Sequence, residues 1–202
     1  MAVNDFDFIA PFYDRLSKMV FGKSLIEAQS MHLNEIDSKD RVLILGGGTG
    51  KILEHIPNCE RIDYVEKSKK MLKLAKKRMV NRHTDFIHSD FLDYTSDRKY
   101  DIIICPFFLD CFGERNLRSV LVKCKGMLKV NGSLFVTDFH PERAKRTLLM
   151  IMHWFFKATS GLDSKKLSNI PLAIINNGFI EKSMVFFKRG IFSAVYVQEE
   201  KK

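Results

Sequence analysis

The chain has few cysteines, and none is placed for metal or redox chemistry. Cys59, Cys105, Cys111 and Cys124 form no CxxC pair and keep no Cys/His spacing able to wrap a tetrahedral zinc, so no metal site is expected. Reduced thiols in a cytoplasmic protein fit that usage. Long hydrophobic runs are also missing. The longest, Leu148 to Phe156, is interrupted by His153 and is far short of the ~20 residues a bilayer span needs. The N-terminus, MAVNDFDF, lacks a basic start leading into an apolar stretch, which argues against a secretory signal. Only five prolines occur, none adjacent to another, and no repeat or low-complexity tract divides the sequence. One domain over residues 1–202 is expected, long enough to close a hydrophobic core unaided.

What the chain does have is basic charge and alternation. Lysine and arginine total 33 against 24 acidic residues, a net charge of +9. The densest stretch is Lys67 to Arg82, where Met71, Leu72, Ala75 and Met79 recur at helical spacing between Lys69, Lys70, Lys73, Lys76, Lys77 and Arg78. That is a helix with one apolar stripe and a solvated basic face. Aromatic residues for stacking bases do not interleave with the charges, so nucleic acid stays an alternative partner behind a small molecule.

Short apolar runs at Val42 to Leu45, Ile62 to Val65, Asp85 to His88, Ile102 to Cys105 and Ser133 to Thr137 read as five strands. Helical patterns at Lys51 to His55, Ser68 to Met79 and Glu114 to Leu128 lie between most of them, and only the loop Tyr94 to Lys99 precedes the fourth. Runs apolar on both faces and separated by helices indicate parallel strands covered on each side. Helices are then expected at Glu142 to Lys157 and Ser164 to Ile175, followed by a hairpin of Phe179 to Phe187 and Ile191 to Gln198. The expected fold is α/β: a Rossmann-like, doubly wound, seven-stranded sheet, mostly parallel, with an antiparallel C-terminal hairpin. Phe6, Ile9, Ala10, Tyr13 and Leu16 lie at helical intervals, with Asn4 or Asp5 as cap and Pro11 suited to a first turn. Residues 1–37 are expected to form a helical lid, one short helix or a broken pair, over a core of residues 38–202.

Gly46, Gly48 and Gly50 follow directly on the first strand. Glycines there permit a tight turn and let a ligand approach bare amides at a helix start, which suits a nucleotide-like ligand. A dinucleotide fingerprint would need glycine where Lys51 stands. A phosphate-cradling P-loop would need glycine at Leu45 and a hydroxyl at Ile52. The remaining pattern is GxGxG. Glu66 closes the next apolar run, where a carboxylate can accept both ribose hydroxyls of a nucleoside.

This loop, with Glu66-Lys67-Ser68, Met71-Leu72, Ser89-Asp90-Phe91 and the run Tyr100 to Asp110, resembles the class I S-adenosylmethionine-dependent methyltransferases over most of the chain. The resemblance implies S-adenosylmethionine as cofactor, held by Gly46, Gly47, Gly48 and Gly50, with Glu66 on the ribose and Lys67 beside it. It also implies Met71 under the adenine, Asp90 and Phe91 at the adenine amino group, and Cys105 at the end of the fourth strand. Ile44 departs from the family, which often carries an acid there to organise the methionine end. The segment Phe6 to Gly22 is similar to the start of the ubiquinone and menaquinone biosynthesis C-methyltransferases, whose matching tyrosine, here Tyr13, lies over the cofactor. Asp138-Phe139-His140-Pro141 resembles their Glu-Phe-Ser-Lys-Pro segment, whereas their long insertion before the sixth strand is missing.

An acceptor should enter over the carboxyl ends of the strands, against Tyr13, Phe107, Phe108, Asp110, His140 and His153, and a small apolar or aromatic molecule is expected. An electrophilic sulfonium needs mainly alignment, and a base only where the acceptor must lose a proton. His140 is the candidate base, against the alternative of a histidine that merely starts a loop. Leu148 to Phe156, with Trp154, reads as core, with an apolar lid or a membrane-surface segment beside Arg143, Lys145 and Arg146 as alternatives. Nucleic-acid amino methylation is disfavoured, because Cys105-Pro106-Phe107-Phe108 lacks the amide or carboxylate that would accept from the target amino group. A non-catalytic cofactor-binding protein of the same fold is the other alternative, favoured by Ile44.

Overall fold

A computed structural model describes residues 7, 10–78, 83–143 and 168–198. Its centre is a seven-stranded sheet in the order β3-β2-β1-β4-β5-β7-β6. The strands are β1 (Arg41–Leu45), β2 (Arg61–Glu66), β3 (Thr84–His88), β4 (Tyr100–Pro106), β5 (Leu128–Phe139), β6 (Phe179–Phe186) and β7 (Ile191–Gln198). The first five pair in parallel, and β7 runs antiparallel between β5 and β6. The chain order reverses between β1 and β4, which leaves a crevice at the carboxyl ends of those two strands.

Strand β1 shows why the sheet is covered on both faces. Leu43 and Leu45 join one core cluster, Val42 and Ile44 the other, as a two-residue period requires, and all four are fully buried. On the first face lies α4 (Glu114–Met127), which inserts Leu117, Val120, Leu121 and Cys124 at helical spacing. On the second lies α3 (Lys69–Arg78), which buries Leu72 and Ala75 and leaves its lysines outside, as the stripe predicted.

Several local expectations change. The segment after the glycine loop is a 3-10 turn, Lys51–Glu54, instead of an α-helix, and Pro57 just beyond it opposes further winding. Strand β5 spans Leu128–Phe139, because α4 passes into it without a loop. The expected helix from Ser164 begins only at Ile170: α5 (Ile170–Asn176) is capped by the Asn169 side chain, which accepts from the Leu172 amide at 3.2 Å, with Pro171 in its first turn. Residues 144–167, and with them His153, Trp154 and most of the expected helix from Glu142, lie outside the described residues. So do Asn4, Asp5, Phe6, Ile9 and Met79.

Ahead of the sheet, α1 (Ala10–Phe21) and α2 (Ser24–Ser30) form a broken pair. Gly22, at φ 64°, ends α1 with its amide on the Lys18 carbonyl at 2.8 Å. Val20, Phe21 and Leu25 pack with Ala28, Phe107, Phe139 and Ile191 at the carboxyl ends of β4 and β5. Tyr13 and Leu16 pack with Met71 of α3. The pair therefore bridges the crevice. Among the described residues no helix is long and apolar enough to cross a membrane.

Candidate functional site

Between this helical pair and the strand ends lies a cavity of about 310 Å³. One end is the glycine loop. Gly46, Gly48 and Gly50 all have positive φ, and the loop is tight at two further points. A Cβ on Gly47 would sit 2.5 Å from the Tyr64 hydroxyl, and one on Gly50 would sit 2.7 Å from the Ala75 backbone. At Gly48 a Cβ would meet nothing within 4 Å, so the loop borders open space there.

Glu66, buried at the end of β2, fixes the loop from the side. Its Oε2 accepts from the Gly48 amide at 3.1 Å and its Oε1 from the Ser68 amide at 2.7 Å. Burial raises its pKa, opposed by hydrogen bonds from the Ser68, Gly48 and Lys67 amides. From below, the Tyr64 hydroxyl donates to the Gly48 carbonyl at 2.9 Å. Tyr64 is the β2 register partner of Ile44, which is wholly buried in the sheet core. Where Ile44 departs from the usual acid, the loop thus takes support from the neighbouring strand.

Further along this end, Asp90 accepts from Lys67 Nζ at 2.8 Å and from the Leu92 amide at 3.0 Å. Its partial burial works against these contacts, which prevail and hold the carboxyl below its ordinary range. Met71, Lys67, Asp90 and Phe91 all line the cavity, so residues separate in sequence converge beside the glycines.

The opposite end is carbon. Leu16, Val20 and Phe21 of α1, Leu25 of α2 and Phe107, Phe112 and Phe139 of the strand-end loops face it. Phe107 takes φ 53°, sparsely populated for an aromatic residue, with its amide donating to the Thr137 carbonyl at 2.7 Å and its ring 5.1 Å from Phe139. Phe108 closes against Gly46, where a Cβ would strike its ring. Tyr13 spans the two ends. Burial, then the nearby Asp110 and Cys111, push its phenol above the ordinary value, so it stays a neutral hydroxyl.

Not every expected residue reaches the cavity. The Cys105 thiol is fully buried in the core beside Cys124 and is absent from the cavity wall. Gly50 packs on α3 behind the loop. His140 turns toward the hairpin: its amide donates to the Gly190 carbonyl at 2.8 Å, and its ring meets Phe186 and Phe192 at 5.6 and 6.3 Å. Its Nδ1 has no hydrogen-bond partner among the described residues. Asp110 lies behind Cys111, which does line the cavity. Its amide donates to Asp138 Oδ2 at 3.2 Å, and Asp138, fully buried on β5, also accepts from the Phe139 amide at 2.9 Å. Burial pushes Asp110 up to about 6, and burial together with the facing Asp110 charge pushes Asp138 well above the carboxylate range. Among the described residues no His, Cys, Asp and Glu cluster could hold a metal.

Sequence reasoning missed Thr49, Val20, Leu25, Gln29 and Phe139 as wall residues. Val20 carried a signal, because Tyr13, Leu16 and Val20 share one helix face. Phe139 carried none beyond its place at a strand end.

Residues 42–132 match the model of a family described as a methyltransferase domain. The chain is 31% identical over 168 residues to the demethylmenaquinone methyltransferase of Thermotoga maritima, covering 77% of this chain and 69% of that protein. It is 29% identical over 155 residues to a polyamine aminopropyltransferase of Prochlorococcus marinus, covering 65% of this chain and about half, 53%, of that protein. The fold matches the N-methyltransferase NodS of Bradyrhizobium japonicum, solved with S-adenosyl-l-homocysteine, at a TM-score of 0.65, 15% identity and 85% of each chain.

Proposed function

The chain belongs to the class I S-adenosylmethionine-dependent methyltransferases, and from that premise we propose that it transfers a methyl group from S-adenosylmethionine to a small apolar or aromatic acceptor. The observation that carries this reading is the two-ended cavity: a glycine loop and a strand-end carboxylate at one end, aliphatic and aromatic side chains at the other.

The residues present fit a nucleoside cofactor. Glu66 keeps lone pairs beyond those used by the Gly48 and Ser68 amides, and these suit ribose hydroxyls. The open space at Gly48 would suit the methionine end, Met71 and Phe91 would flank an adenine, and Asp90 would accept from its amino group. When bound, the cofactor supplies an electrophilic methyl group. The chain's own part is to align the acceptor and exclude water, through α1 and α2 acting as a lid and the rings of Phe107, Phe112 and Phe139. Cys111 stays a thiol, raised by burial and by the nearby Asp110 and Asp138, and adds no charge to that wall. Residues 1–202 are read as a single domain acting in the cytoplasm.

The aminopropyltransferase relatives raise the alternative of a polyamine acceptor. A polycation would lose hydration against Leu16, Val20, Phe21 and Phe139, and the α1 carboxylate in the wall, Asp14, is already engaged by Thr49 and Arg78, so the apolar acceptor is preferred. Calorimetry with S-adenosylhomocysteine tests the cofactor, and transfer of labelled methyl from S-adenosylmethionine to panels of aromatic compounds, polyamines and RNA tests the acceptor. Saturable binding with label entering the aromatic panel is expected. No binding, or label entering only polyamine or RNA, would overturn the reading.

A further inference from the structure

We propose that Asp14 is a positioning residue that joins α1 to the glycine loop, so that the closed cover and the cofactor-binding shape of the loop form and release together. The inference rests on reading the cavity as an S-adenosylmethionine site.

One carboxylate ties three elements. Asp14 Oδ1 accepts from Thr49 Oγ1 at 2.6 Å, inside the glycine loop. Asp14 Oδ2 forms an ion pair with Arg78 at the end of α3. The same guanidinium holds Glu54 at 2.6 Å, in the turn that follows the loop. Asp14 and Arg78 side chains are only 27% and 26% exposed, so solvent screens the pair incompletely.

The neighbours of Asp14 make this anchoring matter. Tyr13 lines the cavity beside Asp14 itself, and Leu16, Ser17 and Val20 follow on the inner face of α1. Ser17 Oγ donates to the Asp14 carbonyl at 3.1 Å, which stiffens that turn. Fixing Asp14 therefore fixes the face that covers the ligand. A second acid repeats the device at the other end of α3, where Asp7 accepts from Ser68 Oγ at 2.6 Å and from the Lys70 amide at 2.9 Å. Ser68 is also the residue whose amide holds Glu66. The N-terminal segment is thus bolted on either side of the ligand, to Thr49 and to Ser68.

Coupling of this kind is reciprocal. A cofactor that orders Thr49 strengthens its bond to Asp14 and seats α1, and a seated α1 retains the cofactor. A merely structural bond would lower stability when cut but would not link α1 protection to ligand occupancy.

The test uses the full chain, with S-adenosylhomocysteine as probe. Asp14→Ala is expected to weaken binding about 10-fold and Thr49→Val about 5-fold. The double variant should be no weaker than Asp14→Ala beyond about 2-fold, because both cut one link. Thr49→Ser keeps the hydroxyl and should bind as the wild type does. Hydrogen exchange adds the second readout: the probe should slow exchange across α1 in the wild type but not in Thr49→Val, a variant that keeps size and every charge. Multiplying effects in the double variant, wild-type affinity in Asp14→Ala, or α1 protection that survives in Thr49→Val would overturn the coupling alone. Failure of the wild type to bind the probe would overturn the cofactor reading and the coupling with it.

Discussion

Around the glycine loop the cavity wall is backbone and carboxylate, with Gly48, Glu66, Tyr64 and Ser68 joined in one hydrogen-bonded set. At the acceptor end Leu16, Val20, Phe21 and Phe139 present carbon, and the carboxyls of Asp110 and Asp138 lie behind that lining. The first end has little tolerance. A Cβ at Gly47 or Gly50 meets atoms under 3 Å away, and Glu66 is held by two amides. The second end is filled by side chains that other apolar residues of similar size would replace at modest cost. A cofactor common to a family needs the first kind of site, whereas an acceptor that differs among its members is served by the second.

The largest expected effect breaks the rigid end. Glu66→Ala removes a buried carboxylate whose hydrogen bonds are worth about 1.5–3 kcal/mol each when charge-assisted. Affinity for S-adenosylhomocysteine should therefore fall by about 10- to 100-fold, read by calorimetry. Because burial raises the Glu66 pKa, the wild-type affinity should also weaken as pH falls through that raised value and the carboxyl loses acceptor capacity. Unchanged affinity in the variant would remove Glu66 from the ribose.

Asp110→Asn sharpens the contrast from the other end. Asp110, pushed up to about 6, and Asp138, higher still, both lie above the ~3.9 of an unfolded aspartate. The folded state thus binds more protons, and the stability this confers is complete below about pH 4 and lost as pH rises through the folded values. Asp110→Asn removes one of these titrations. At pH 8 it should be more stable than the wild type by on the order of 2 kcal/mol, at pH 4 little different, with cofactor affinity within about 2-fold. Denaturation at the two pH values checks this, and a parallel pH slope in both proteins would show that the buried pair does not govern stability.

The same contrast explains what could be read from the sequence. The glycine loop, Glu66, Met71 and Asp90 stood out because a backbone that must turn, or a carboxylate that must end a strand, admits few residue types. The parallel strands were legible for a related reason, since burial on both faces leaves few polar positions. Phe139 and Leu25 were not legible, because any apolar residue at a strand end or on a helix satisfies local structure, and only the packing of α1 and α2 over the sheet brings them to one wall. The 3-10 turn at Lys51–Glu54 looked helical because three or four residues cannot establish a period, and Pro57 decides the matter from outside the window. The role of Asp14 is not legible in the sequence, since its partners Thr49 and Arg78 are remote along the chain.

The smallest effect is expected at the residue whose chemistry looked most attractive. His140 follows β5 and has the right side chain for a base, yet its ring packs edge-on against Phe186 and Phe192, outside the cavity wall. A base must come within hydrogen-bond reach of the proton it removes, directly or through one water. His140→Phe keeps the ring packing and removes an Nδ1 that lacks a partner among the described residues, so stability should hold or rise by about 1 kcal/mol. Methyl transfer to an acceptor found by the labelled panel should stay within about 3-fold of wild type, since loss of a working base costs about 100-fold or more. A collapse of the rate would return the histidine to the chemistry and require the β5 end to swing toward the cofactor. That outcome would also undo the division drawn here, because the acceptor end would then depend on one placed polar atom as strictly as the cofactor end depends on Glu66.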